Sequence, residues 1–597
     1  MAAKWEITQD YTPGFVDKPD VTQLKPGALI RGSQNVVIND GDRIANRKGF
    51  EQFGDVSAST TAGTSLHSFV RRSGVETLLR AYGTVLEYYH TGTSAWENLN
   101  DGYTTGLTFG FADHVVNTDA SDFVYFCNGA DNYSRWNGAF TQLNGALSGG
   151  EGTITVDSTA AFTNSGTIRI GTTDVTYSGK TATTFTGCSG TPAAADDAAV
   201  AQAVTEYASN PQGNILLVEK TRMYVANVED NEQGLYYSAI ADATDFTFSA
   251  PRSADEGGII DTPEGGGGIT GLGVQEDVIY VGKPTLWKSV QFTQTGTATE
   301  LDLPVIKPIV RSSDVGPLSS KAVFSVGSAL FYVSSDGALK SVTRAAVVDF
   351  AEPNQVSDPI VNLIKGYTFN DAAGVFFKRK VYIACKSEGA TVNDTVLVYN
   401  WEKRAWEPPI VGWNVADWAI HNDNLHFISS LTPNVYKAET GLEDDTDGEY
   451  TCIARFPYQN YGAPQTQKHF QYYFLEGYIS QGTTLTITER YNYLGGDGEI
   501  ATTFTGTETT YIVNSLDENV LATQPLGTQP LGLTISDNDA PNGLLKFRIY
   551  LRTSKQPFYE ASFEVKSTGV GQEWEILRHG PLVEIAHQAT NIDKQWV

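Results

Sequence analysis

RMYVANVEDNEQGLYYS, residues Arg222–Ser238, reads as a strand, an acidic turn closed by glycine, and a second strand ending in paired tyrosines. Tyr and Val suit a pleated, half-buried surface, while Asn, Asp and Gly accept the turn. The same unit recurs as LLRAYGTVLEYY (Leu78–Tyr89), FVYFCNGADNYSRW (Phe123–Trp136), VIYVGKPTLWKS (Val278–Ser289), ALFYVSSDGALKS (Ala329–Ser341), KVYIACKSEGATVNDTVLVYN (Lys380–Asn400) and NLHFISSLTPNVYKA (Asn424–Ala438). Taking Leu79, Tyr125, Tyr224, Tyr280, Tyr332, Tyr382 and Phe427 as anchors, the successive gaps are 46, 99, 56, 52, 50 and 45 residues. A period of that length marks a propeller or a related radial array, in which neighbouring blades cover each other's edges. An ordinary series of β-sandwiches would show turns at short spacing without the longer period.

Only the gap of 99 breaks the rule, and it holds a stretch of different texture, GTITVDSTAAFTNSGTIRIGTTDVTYSGKTATTFTGCSG. Its strict alternation in GTIRIG and DVTYSG predicts a small β module in a loop between blades, where insertions cost least. After Gly441 the period stops, and LKFRIYLR (Leu545–Arg552), ASFEV and EWEIL predict a terminal antiparallel sandwich, preceded by the loop TQPLGTQPLG (Thr523–Gly532). The expected class is therefore all-β: a β-propeller-like array of about seven blades, a small β insert and a C-terminal β-sandwich. The expected order is an extended arm over 1–30, propeller over 31–145, insert over 146–205, propeller over 206–440 and the C-terminal antiparallel domain over 441–597.

Composition agrees. The 597 residues include 58 Gly, 29 Tyr and 28 Phe but 2 Met, and long amphipathic helical runs are missing. Net charge is −28, from 41 Lys and Arg against 69 Asp and Glu. Such a chain repels nucleic-acid phosphate, because binding there needs Lys and Arg to displace counterions. Contact with DNA is expected to be passive. Cys127, Cys188, Cys385 and Cys452 are far apart, without the spacing of a zinc site, and read as buried thiols. MAAKWEITQD lacks an apolar secretion-signal core and no long apolar run follows, so synthesis in a cytoplasm without membrane insertion is expected.

Motifs with chemistry are few. EGGGGITGLG (Glu264–Gly273) contains the spacing GxGxxG, but a strand follows it where dinucleotide binding needs a helix. Among the histidines His67, His90, His114, His421, His426, His469, His579 and His587, the pair His421 and His426 lies beside Asp423; odd spacing within a hairpin places them on opposite faces. LEDDTDGE (Leu442–Glu449) lacks the spacing of a calcium loop and reads as a solvated linker. SSDGALKSV (Ser334–Val342) resembles a sialidase Asp-box without its spacing or its Trp. No nucleophile elbow is present. Two carboxylates on facing loops would suffice for a propeller glycosidase, and among 69 acids composition cannot choose a pair. No catalytic, cofactor or metal residue is assigned, and the expectation is a chain without catalysis.

RGSQNVVINDGDRIANRKGFEQFG (Arg31–Gly54) predicts a β-hairpin turning at Asn39–Gly41, since Asp-Gly between apolar runs accepts the positive φ of such turns. Arg43, Arg47 and Lys48, in an acidic chain, are expected to pair with carboxylates between subunits or within a blade. The order of a Pro-punctuated arm (Pro13, Pro19, Pro26), Asn35-Val36-Val37, the Asp40-Gly41 turn and Arg47-Lys48-Gly49-Phe50 resembles the opening of propeller-type tail nozzle, tubular or hub proteins of short-tailed bacteriophages. The Arg222–Phe246 unit and the late TQPLGTQPLG loop before LKFRIYLR are similar to theirs. That resemblance implies a virion tail protein forming a cyclic homo-oligomer, commonly a hexamer, between an adaptor or portal protein and the distal tail or fibre proteins, with DNA passing through its lumen. The alternative is a propeller that binds or cleaves host-surface carbohydrate, with Trp96, Trp136, Trp401 and Trp406 stacking on sugar rings. An arm carrying Trp5, Tyr11 and Phe15 is expected to pack on the C-terminal sandwich or on an adjacent subunit.

Overall fold

Among the described residues of this computed structural model, seven small antiparallel sheets are each built on one of the repeated hairpins. The structure describes residues 3–17, 24–115, 122–249, 255–263, 266–293, 303–308, 316–342, 356–445, 448–491, 499–505, 544–553 and 557–585. Blade one is Gly63–Val70, Glu76–Tyr82, Val85–His90 and Ala95–Asp101. Blade two is Gly110–His114, Phe123–Cys127, Tyr133–Trp136 and, much later, Thr205–Tyr207. Blade three is Gly213–Glu219, Arg222–Val228, Gly234–Tyr237 and Gly258–Asp261; blade four is Gly271–Gln275, Val278–Lys283, Leu286–Thr293 and Leu303–Pro308. Blade five shows Val323–Val326, Ala329–Val333 and Leu339–Val342 among the described residues. Blade six is Thr368–Phe377, Lys380–Lys386, Thr395–Asn400 and Ala405–Val411. Blade seven is Val415–His421, Asn424–Ser429 and Val435–Thr440.

The first strand of each blade touches the first strand of the next, and that of blade seven returns to blade one. The ring is closed and the fold is a β-propeller. All seven anchors, Leu79 to Phe427, lie in the second strands of their blades and are buried. The repeat was visible in sequence because each second strand packs between neighbouring sheets, where large apolar rings fill the space.

Closure is made by the N-terminal part of the chain. Gly49–Phe53 pairs antiparallel with Val435–Thr440 as the fourth strand of blade seven, Phe50 opposite Ala438 and Phe53 opposite Val435. Gly49 is required there: a Cβ would fall 1.7 Å from the Glu443 carbonyl oxygen. The hairpin ahead of it, Val36–Ile38 with Ile44–Asn46, forms with Ile38 opposite Ile44, although the positive φ of its turn falls on Asp42 and not on Gly41. It belongs to the sandwich, however, and not to the propeller expected from residue 31: Ile44–Asn46 pairs with Trp574–Ile585. That long strand also pairs with Lys468–Ile479, which pairs with Leu545–Arg552. The facing sheet is Tyr450–Arg455, Ala561–Gly569, Thr484–Tyr491 and Glu499–Thr505. Phe470, Tyr473, Leu485, Phe547, Phe563 and Trp574 fill the space between the two sheets.

The arm is part of this sandwich. Lys4–Trp5 pairs with Leu582 and Val583, Tyr11 and Phe15 are buried, and Trp5 packs edge-on to Phe474 and Tyr550 at 6.1 and 5.7 Å. The insert lies between the third and fourth strands of blade two, inside a blade, whereas the sequence placed it between blades. A gap in a repeat shows that residues are added, not at which turn of the unit they enter. Its small sheets enclose a core of their own, with Ile154, Ile168, Val175 and Phe185 at its centre. Arg169 ties it to blade one through Asp101 at 2.6 Å and Asn98 at 2.8 Å. The TQPLGTQPLG loop lies outside the described residues.

Candidate functional site

One end of the propeller axis opens into a cavity of about 540 Å³ to which every blade contributes. The innermost strands all run the same way, so their starts, and the loops entering them, gather at this mouth. Asn214, Asn227, Asn370 and Asn393 bring amides to the wall, and Thr64, Thr108, Thr270, Ser319 and Ser430 bring hydroxyls. Glu232, from the turn between the second and third strands of blade three, and Asp371, from the first strand of blade six, bring carboxylates.

Two lysines line the same wall. Lys386 pairs with Asp371, whose side chain remains 69% exposed. Lys321 donates to the carbonyl oxygens of Thr64 and Ala416 and lies 3.9 Å from Asp417. Asp417 accepts the backbone N–H groups of Leu66 and Trp418 at 3.0 and 2.9 Å. Burial holds the Asp417 carboxyl above its ordinary range although Lys321 works against it. This group therefore stitches blades five, seven and one together beneath the cavity floor. Asn393 does the same between blades six and seven, donating to the carbonyls of Asp371 and Val415 at 2.9 and 3.0 Å.

The glycine-rich run enters the first strand of blade four at Gly271, not a helix, and its Gly268 reaches the cavity wall. The expectation for His421 and His426 is corrected: they sit on two neighbouring strands joined by Asn422 and Asp423, with ring centroids 5.7 Å apart on one face. His421 pairs with Asn424 and His426 with Ala419, and cross-strand partners share a face, so parity along a single strand does not apply across the turn. Both are buried at the seam of blades seven and one, away from the cavity. Among the described residues no group of three His, Cys, Asp or Glu side chains could hold a metal ion. In the acidic linker, Asp444 is not merely solvated: it is taken by Arg47.

The basic residues of the hairpin all find carboxylates within the chain. Arg43 meets Glu575 at 2.8 Å and Lys48 meets Glu573 at 3.1 Å. Arg47, 1% exposed, donates from both terminal nitrogens to Asp444, each at 2.6 Å, and lies over the Tyr450 ring at 4.0 Å. Trp96, Trp136 and Trp406 are buried in blade cores, which removes them as sugar platforms, while Trp401 is 39% exposed. The described wall of the cavity carries no aromatic ring. Cys127, Cys385 and Cys452 are buried free thiols, and burial pushes those of Cys127 and Cys452 up, to about 11 and about 12; Cys188 is half-buried.

No family model matches the chain, and no curated protein matches it. Among solved structures, two variants of the exo-β-1,3-galactanase of Phanerochaete chrysosporium with β-1,3-galactotriose match at 8% identity, covering 61% of this chain and 94% of theirs, with a TM-score of 0.21. The expectation of a chain without catalysis is corrected here: both matched chains are galactanases, and the absence of activity is no longer held for this protein. At that TM-score the likeness assigns no activity to it either.

Proposed function

We propose that the propeller binds an oligosaccharide in its axial cavity. One observation carries this reading: a concave wall assembled from all seven blades offers amides, hydroxyls and two carboxylates, the donor and acceptor set that a polyhydroxylated ligand requires. Glu232 and Asp371 are the residues through which glycan cleavage would run, one giving a proton to the leaving oxygen and the other facing the sugar carbon or its water. Lys386 pairs with Asp371 at the cavity wall. The test is a glycan array followed by oligosaccharide digestion, with Glu232→Gln and Asp371→Asn as controls. Binding that both substitutions weaken at least tenfold supports the site. A correctly folded protein that retains no glycan and cleaves none removes it.

A second reading is favoured by the N-terminal stretch. The residues that carry the resemblance to phage tail proteins, Asn35 to Phe50, are also those that lock the sandwich to the propeller, through the hairpin, the buried Arg47 and the closing strand. On this reading the chain is a ring-forming tail protein between an adaptor or portal and the distal tail, its acidic surface keeping passing DNA from adhering. Light scattering and negative-stain images of the purified protein decide it. Rings support it, and a monomer that persists with its tail neighbours present counts against it.

A further inference from the structure

Lys380 and Asn400 stand directly opposite each other in blade six, Lys380 beginning the second strand and Asn400 ending the third. Opposite residues of an antiparallel pair share a face, with Cβ atoms about 5 Å apart. Glu407, from the fourth strand, sits between their side chains. Its Oε2 accepts from Lys380 Nζ at 3.0 Å and its Oε1 accepts from Asn400 Nδ2 at 3.1 Å. On its other side, Asn400 Oδ1 accepts the backbone N–H of Lys403 at 3.0 Å. Asn400 and Glu407 are 6% and 3% exposed, and the Lys380 side chain is 20% exposed.

A buried ion pair alone gains little over apolar packing, because desolvation offsets the attraction. This cluster has more than a pair. One carboxylate holds an amine and a carboxamide at once, while a backbone donor polarises the carboxamide oxygen. We propose that Lys380 and Asn400 become joined by an intramolecular isopeptide bond, with Glu407 carrying the protons.

The Lys380 ammonium first gives a proton to Glu407. The freed Nζ lone pair attacks Cγ of Asn400, and the Lys403 N–H stabilises the negative charge that develops on Oδ1. Nζ loses a second proton as Nδ2 gains one through the carboxyl. The Cγ–Nδ2 bond breaks, ammonia departs, and it takes up the proton held by Glu407, which returns to carboxylate. One C–N bond forms and one breaks, with no change of oxidation state. Burial pushes the Lys380 amine down, but the Glu407 and Glu439 carboxylates outweigh it and hold the amine above its ordinary value. The reaction therefore starts from the ion pair and is a slow, single event per chain.

Intact-mass measurement of the full-length protein after storage tests this directly. The expected result is a mass lower by one ammonia, and a tryptic digest in which the peptides bearing Lys380 and Asn400 run as one branched species. Lys380→Arg and Glu407→Gln, each checked for fold by circular dichroism, should return the full mass. Full mass in the unmodified protein with both linear peptides present overturns the proposal, as does an ammonia loss that maps to any other residue.

Discussion

Arg47 shows how one side chain can join two modules. Its guanidinium binds Asp444 with two parallel hydrogen bonds, donates from Nε to Asn35 Oδ1 at 2.9 Å, and lies against Tyr450 and Trp413. Removing one partner of a buried pair leaves the other charge uncompensated, at a cost of about 3–5 kcal/mol. Arg47→Ala should therefore lower unfolding stability in urea by about 3 kcal/mol. Arg47→Lys should recover less than half of that, because an ammonium cannot reproduce the planar fork. A loss under about 1 kcal/mol for the alanine variant would show that the pair does not hold the modules. The basic character of this hairpin was plain in sequence. Its partners were not, because Asp444, Glu573 and Glu575 lie hundreds of residues away and only the fold brings them near.

Among the elements, the seam between blades seven and one is the place where the ring is closed by a strand from a distant part of the chain. Phe53 of that strand packs edge-on over His426 at 4.6 Å and His421 at 6.0 Å. Charged neighbours are Glu76, 3.4 Å from His421, and Lys437, which pairs with Glu51 at 3.6 Å. Burial lowers the pKa of both histidines, that of His426 to about 4 from 6.5, with His421 pushing it further the same way. The folded values lie below the unfolded ones, so protons favour the open state. The contribution is complete above pH 6.5 and is lost as pH falls towards 4. For His426 it amounts to about 3 kcal/mol. Thermal melts should show Tm falling steeply between these pH values, and His426→Phe should flatten the slope. An unchanged slope in that variant would place the acid sensitivity elsewhere, for instance at the buried His579. The insert is a second case of the same kind. With its own core, and joined to blade one by Arg169, by the Thr141 carbonyl at His90 and by Phe140 against Tyr88, its removal and replacement by a short linker should leave the propeller's circular dichroism intact. Loss of folding of the whole chain would mean that the insert and blade two form one unit.

For the whole molecule, the chain's first 53 residues hold both modules closed: one stretch supplies three strands to the sandwich and the next the last strand of the propeller. Truncating residues 1–17 should strip Tyr11 from its stack on His579, at 5.8 Å, and uncover the strand ending in Ile585. The same stretch also seats on blade six, where the Phe15 N–H donates to the Trp406 carbonyl oxygen at 2.7 Å, so the expected outcome is a lower melting temperature in calorimetry for sandwich and propeller alike. A melt identical to that of the full chain would make the arm a passive tail.

The all-β class, the blade period and the opening hairpin were legible in the sequence, whereas the turn at which the insert enters was not. Those features rest on local physics: turn residues that accept positive φ, and apolar anchors repeated at each second strand. Long-range contact settled the rest: that the hairpin leaves the propeller for the sandwich, that His421 and His426 share a face, and that Lys380, Asn400 and Glu407 meet. The axial cavity was also out of reach, because its wall takes one or a few short polar residues from each blade. Ser, Thr and Asn at strand ends look like any turn until a closed ring points them at one axis.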